Sequence, residues 1–92
     1  MLTAIVLISA DVDRIPEVAQ AIADLDGVSE VYSVTGDIDL VALVRVREYD
    51  DLATVVSDRL GKVEGVRSMR THIAFRSFSS TDLEEAFHLG LE

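Results

Sequence analysis

The sequence predicts an α+β sandwich in the order β-α-β-β-α-β: an antiparallel four-stranded sheet, ordered 4-1-3-2, with two helices on one face. Three observations carry the prediction. Apolar residues occupy both alternating faces of residues 2–9 and 38–46, as strands covered on both sides require. Residues 15–23 and 50–63 switch to helical spacing. The chain also echoes itself. Asp26-Gly27-Val28-Ser29-Glu30-Val31 returns in outline as Glu64-Gly65-Val66-Arg67-Ser68-Met69, an acidic residue, a helix-ending glycine and a strand that starts with valine. Two βα halves related in this way give a ferredoxin-like split βαβ sheet.

The first strand carries Leu2, Ala4, Val6 and Ile8 on one face and Ile5 and Leu7 on the other. In the first helix Ile15, Val18, Ala19, Ile22 and Ala23 form the apolar stripe, and Pro16 and Glu17 suit the first turn. Asp13 is its expected N-cap, and Gly27 the left-handed residue that ends it. Residues 28–35 make the second strand and 38–46 the third. Asp50 or Asp51 opens the second helix, which aligns Leu52, Val55, Val56, Leu60 and Val63 and closes at Gly65. Residues 66–78 make a long last strand. Strands two and four alternate as edges do, marked by Ser29 and Ser33 in one and by Ser68, Arg70 and His72 in the other. Right-handed crossovers put both helices on the same face. The opposite face then shows Val, Leu and Ile, an association surface, so the chain is expected to dimerise sheet to sheet.

Residues 1–78 thus form one domain. Beyond them, Thr81 and Glu84 match a capping box, and Leu83, Ala86 and Phe87 form an apolar stripe. Residues 79–92 are expected to be a short helical tail, docked on its own subunit or reaching to a neighbour.

At 92 residues, 49% of them hydrophobic, the chain is more apolar than so small a core needs, and oligomerisation is the usual way to hide the excess. No cysteine is present, which removes disulfides and thiolate metal sites and fits a reducing cytoplasm. Met1-Leu2-Thr3 has no positive n-region, and Asp11 and Asp13 break the first apolar run, so neither a signal peptide nor a membrane span is expected. The net charge of −9, from 17 acidic and 8 basic residues, repels phosphate backbones and argues against direct nucleic-acid binding. The basic residues do not form a block: Arg45 and Arg47 share a strand, and Arg67, Arg70 and Arg76 are spread along another.

Between strands two and three lies Thr35-Gly36-Asp37-Ile38-Asp39. Gly-Asp there signals a two-residue hairpin with glycine at the first central position, where φ is positive. Such a bend presents a bare N–H beside carboxylates, which suits a small zwitterion: amides take its carboxylate and an Asp takes its ammonium. The same residues also suffice for a plain turn.

On these residues the chain resembles the effector-binding (RAM) domain of the Lrp/AsnC family. The carriers are Gly27-Val28 through Val34-Thr35-Gly36-Asp37-Ile38-Asp39, then Glu64-Gly65-Val66-Arg67-Ser68 and Thr71-His72-Ile73. The resemblance implies a βαββαβ dimer that assembles into rings or discs, with small effectors, usually amino acids, held between dimers near the hairpin. It implies a ligand site of Thr35, Gly36, Asp37, Asp39, Met69 and Thr71. In it Gly36 offers its N–H, Asp37 or Asp39 holds an ammonium, Thr71 gives a hydroxyl and Met69 lines the pocket. Thr71 equally fits an ordinary strand threonine, and Met69 a core gap-filler.

The chain departs from the family pattern in two ways. No residues precede the first strand to supply a helix-turn-helix, so a stand-alone effector domain is expected, acting by co-assembly with DNA-binding relatives. Ile38 stands where many relatives carry an aromatic residue, and Met69 where a small hydroxyl residue is common, which makes the pocket more apolar.

No catalytic constellation, metal set or cofactor motif is expected. His72 and His88 lack partners at a metal or triad spacing, and Asp11, Asp13, Asp50 and Asp51 are placed as helix caps. Two other readings remain beside the sensor: a small dimeric monooxygenase-type enzyme, with His72 or Arg70 facing a wide cavity between sheet and helices, and a purely structural assembly subunit. The ACT-type fold shares the element order but places a glycine-bearing ligand loop after its first strand. Ser9-Ala10-Asp11-Val12-Asp13 has no glycine.

Overall fold

The computed structural model describes residues 1–80. Strand β1 (Leu2–Ala10) leads through a 3-10 turn, Val12–Arg14, into helix α1 (Ile15–Ala23). Strands β2 (Val28–Ser33) and β3 (Leu40–Val46) follow. Helix α2 (Tyr49–Ala53) continues as a π-helical stretch, Thr54–Arg59, and a 3-10 turn, Leu60–Lys62, before β4 (Val66–Ile73). The sheet order is β2-β3-β1-β4 and every pairing is antiparallel, the expected 4-1-3-2 arrangement.

Alternation decides which side chains enter the core. Ala4, Val6, Ile8 and Ala10 of β1 and Leu40, Ala42, Val44 and Val46 of β3 are buried against Val18 and Ile22 of α1 and against Leu52, Val55, Val56 and Leu60. Cross-strand neighbours are a small residue against a larger one, Ala4 with Val44 and Ala42 with Val6, which gives the helices a level surface to sit on. Among the described residues no polar or charged one is buried. On the other face Ile5 pairs with Leu43 and Leu7 with Val41, all half-buried in the single chain.

Gly27 and Gly65 end the two helical segments with φ of 97° and 98°, as expected of left-handed residues. Both also permit close approach. A Cβ on Gly27 would lie 2.7 Å from Val55 Cγ2, and one on Gly65 would lie 2.5 Å from Val18 Cγ2.

Several boundaries differ from expectation, each for a local reason. Asp13 is no N-cap: it lies inside the 3-10 turn, and α1 starts after Arg14 with no side-chain cap. The second helix opens earlier than Asp50. Glu48 is its N-cap in a reciprocal capping box with Asp51, which lies at the third helical position. The last strand stops at Ile73, one bond after which the Ala74 N–H donates to the Thr3 carbonyl at 2.9 Å. Beyond that point β1 has run out and the chain has no strand to pair with. Thr81, Glu84 and the rest of the expected tail helix lie outside the described residues.

Candidate functional site

The hairpin is wider than two residues. Ser33 pairs with Leu40, and residues 34–39 make the connection. Asp39 sets this width. Its N–H donates to the Ile8 carbonyl at 2.9 Å, its carbonyl accepts the Val34 N–H at 3.0 Å, and its Oδ2 accepts the Ala10 N–H at 2.9 Å. One residue therefore closes the bend on itself and ties it to β1, and one oxygen of its carboxylate is committed there.

Held by that anchor, Thr35, Gly36 and Asp37 are exposed and Ile38 is half-buried. Gly36 has φ of 117°, and a Cβ placed on it would meet nothing within 4 Å. The positive φ expected at the bend is present, with open space around its backbone.

The strand residues lie elsewhere. Met69 pairs with Ile8 and Thr71 with Val6, on the helix-facing side of β4. Thr71 borders a crevice of about 220 Å³ with Tyr49, Leu52, Ala53, Val56 and Ser57. Met69 Cε lies 3.2 Å from the position a Cβ on Gly61 would take, so its side chain reaches over the end of the second helical segment. Within one chain β1 lies between these two residues and the bend, which bonds to its other edge through Asp39.

The face away from the helices has a charged and aromatic border. Tyr32 of β2 donates its hydroxyl to Glu30, which lifts its phenol above the usual value, the hydrogen bond being the larger cause and the neighbouring carboxylate charge adding to it. His72 lies across from Ile5 and Arg70 across from Leu7. At one edge a crevice of about 430 Å³ is bordered by Thr3, Ile5, Leu43, Arg45, Phe75 and Phe78, both phenylalanines being exposed.

The basic residues do form a spatial group, contrary to the linear reading. Arg45, Arg47 and Arg59 line one cleft of about 450 Å³ at the Val46 end of β3. The strand placed two of them together, but the third arrives from the π-helical stretch, which no sequence signal foretold. Among the described residues, no group of three or more His, Asp or Glu could hold a metal ion, and no helix is long and apolar enough to cross a membrane.

The family model described as the Lrp/AsnC ligand binding domain matches residues 3–83. The chain belongs to that family. As an Lrp/AsnC ligand-binding domain it is a ligand-binding module of a regulator family, not a domain of a catalytic family. Among solved structures it is similar to the Thermus thermophilus protein TTHA0845, with 46% identity, a TM-score of 0.80, and coverage of 86% of this chain and 99% of that one. A hypothetical protein from Pyrococcus horikoshii is 26% identical, with a TM-score of 0.77 over 84% of this chain and 93% of the other. Escherichia coli AsnC, 22% identical, shares the fold with a TM-score of 0.77; 83% of this chain aligns with 52% of AsnC. The Lrp/AsnC-type domain thus spans about half the length of that regulator. No curated protein sequence matches it significantly.

Proposed function

We propose that this Lrp/AsnC-type domain senses an amino acid or a related small metabolite at interfaces between its own dimers, and does not itself bind DNA. The observation that carries this reading is the bend at Gly36: an exposed backbone at positive φ, open space around it, and an anchor in Asp39 that fixes its shape. A preformed bend loses little entropy when a ligand is held. Gly36 offers its N–H to the ligand carboxylate. Asp37 is the carboxylate available for an ammonium, since Asp39 is engaged with Ala10. Thr35 lies beside them, while Thr71 and Met69 complete the pocket from a neighbouring copy.

Assembly supports the same reading. Ile5, Leu7, Val41 and Leu43 form an apolar strip that a second sheet would cover, giving the dimer on which further rings are built. The same fold, at 18% identity and a TM-score of 0.76, occurs in a Neisseria meningitidis transcriptional regulator solved as a complex with L-Met. Regulation would then pass through co-assembly with DNA-binding relatives. The surface, at −9, opposes direct contact with phosphates.

A thermal-shift screen of the common amino acids tests the reading. A ligand at ten times its dissociation constant stabilises the native state by roughly 1.4 kcal/mol, a rise of several degrees in melting temperature. The rise should vanish in Gly36→Trp while that variant keeps its assembly state. A set of amino acids that leaves melting unchanged at millimolar concentrations refutes it.

A further inference from the structure

We propose that the arginine cleft at the Val46 end of β3 is a second site, one that takes a small organic anion bearing at least two negative charges. Its volume of about 450 Å³ falls within the range of sites for metabolite-sized ligands, roughly 300–1,000 Å³. Arg45 and Arg47 reach it from the end of β3 and Arg59 from the end of the π-helical stretch, with Thr54, Asp26 and Asp51 in the wall.

Charge placement is the first argument. The chain carries 17 acidic and 8 basic residues, so a cation here has carboxylates in excess to pair with. The ion pairs among the described residues nonetheless use Arg14 and Arg67, and none involves Arg45, Arg47 or Arg59. Arg45, Arg47 and Arg59, none with an ion-pair partner among the described residues, all line one cleft. Their planar forks match carboxylate or phosphate oxygens in pairs.

The acidic residues in the wall are not ion-paired with them. Asp51 Oδ2 accepts the Glu48 N–H at 3.3 Å as part of the capping box. Asp26 meets Arg59 through its backbone, the carbonyl accepting Nη1 at 3.2 Å. That bond fixes the Arg59 head at the cleft and leaves its other N–H groups for a ligand.

Helix geometry is the second argument. In an α-helix Thr54 and Arg59, five positions apart, would point about 140° away from each other. The π-helical stretch Thr54–Arg59 brings both to the same cleft. Such turns are rare and concentrate at functional sites.

This site is separate from the bend at Gly36. The two lie at opposite ends of β3, which runs from Leu40 to Val46, about 20 Å at the usual strand rise. A phosphate ester and a dicarboxylate both supply the required chemistry. Inorganic pyrophosphate and succinate are therefore titrated in parallel into the isotope-labelled full chain, and backbone amide shifts are followed. At least one probe should produce saturable changes at Gly27, Arg45, Arg47, Thr54 and Arg59; pyrophosphate alone assigns the phosphate class, succinate alone the carboxylate class. Arg47→Ala and Arg59→Ala should each weaken binding by about tenfold or more, and Arg67→Ala should leave it unchanged. The Arg47 side chain is exposed at the strand end, so its variant decides the matter if Arg59→Ala fails to fold. Shifts that scatter without saturating for both probes, or affinity unchanged in Arg47→Ala, overturn the proposal. Neither result depends on whether an amino acid binds near Gly36.

Discussion

The carboxylate of Asp39 accepts the backbone N–H of Ala10 across 2.9 Å, joining the bend before β3 to the last residue of β1. This bond extends the β3 side of β1 beyond its last pair, Ile8 with Leu40. Asp39→Ala leaves a partly buried amide without a partner, at a cost of about 1–3 kcal/mol. Asp39→Asn keeps an acceptor and should cost less than half as much. Urea unfolding of the two variants measures the difference, and an Asp39→Ala variant as stable as wild type would show that the carboxylate is not the anchor.

The three positive-φ glycines should rank by what surrounds them. Gly65→Ala and Gly27→Ala meet Val18 and Val55 at 2.5 and 2.7 Å, whereas Gly36→Ala meets nothing. Backbone strain alone, on the order of 1–3 kcal/mol, applies to Gly36. The other two add a steric clash, so both should lower the melting temperature further. The additional loss at Gly65 should shrink in a Val18→Ala background, because the atom struck is then gone. Thermal melts of the single and double variants check the order.

Tyr32 provides a titration that reports on the sheet face. Its hydrogen bond to Glu30 favours the neutral phenol, so the folded pKa stands above the unfolded value of 10.0. The contribution to stability is therefore complete below pH 10 and fades as pH rises through the folded value. It is small, since the side chain is open to solvent. In Tyr49→Phe, where Tyr32 is the one remaining tyrosine, tyrosinate absorbance should titrate above the ordinary phenol. Adding Glu30→Gln should move the transition down.

Much of this architecture is legible in the residues, because it follows from local rules. Alternation in 2–9 and 40–46 sets the central strands, and Gly27 and Gly65 stop helices for want of any other residue that tolerates their φ. What escapes a linear reading depends on tertiary partners. The width of the bend comes from Asp39 bonding to β1, twenty-nine positions away. The end of β4 comes from where β1 begins. Nothing in Thr54-Val55-Val56-Ser57-Asp58-Arg59 announces a π-helical turn, and without it Arg59 would not join Arg45 and Arg47. The residues implied for the ligand site lie apart within one chain, a separation that only the strand order reveals.

The central claim is that the pocket near Gly36 exists only between assembled copies, and Leu43→Arg tests it most directly. Leu43 sits half-buried on the open sheet face directly across from Glu30, so an arginine finds a partner in the single chain yet repels an apposed sheet. Calorimetric titration of the amino acid that most raises the melting temperature, into wild type and into this variant, with sedimentation confirming their assembly states, gives the measurement. Binding to the assembled wild type and none to a folded, monomeric Leu43→Arg is the predicted result. A monomer that binds the same amino acid with undiminished affinity would contradict it.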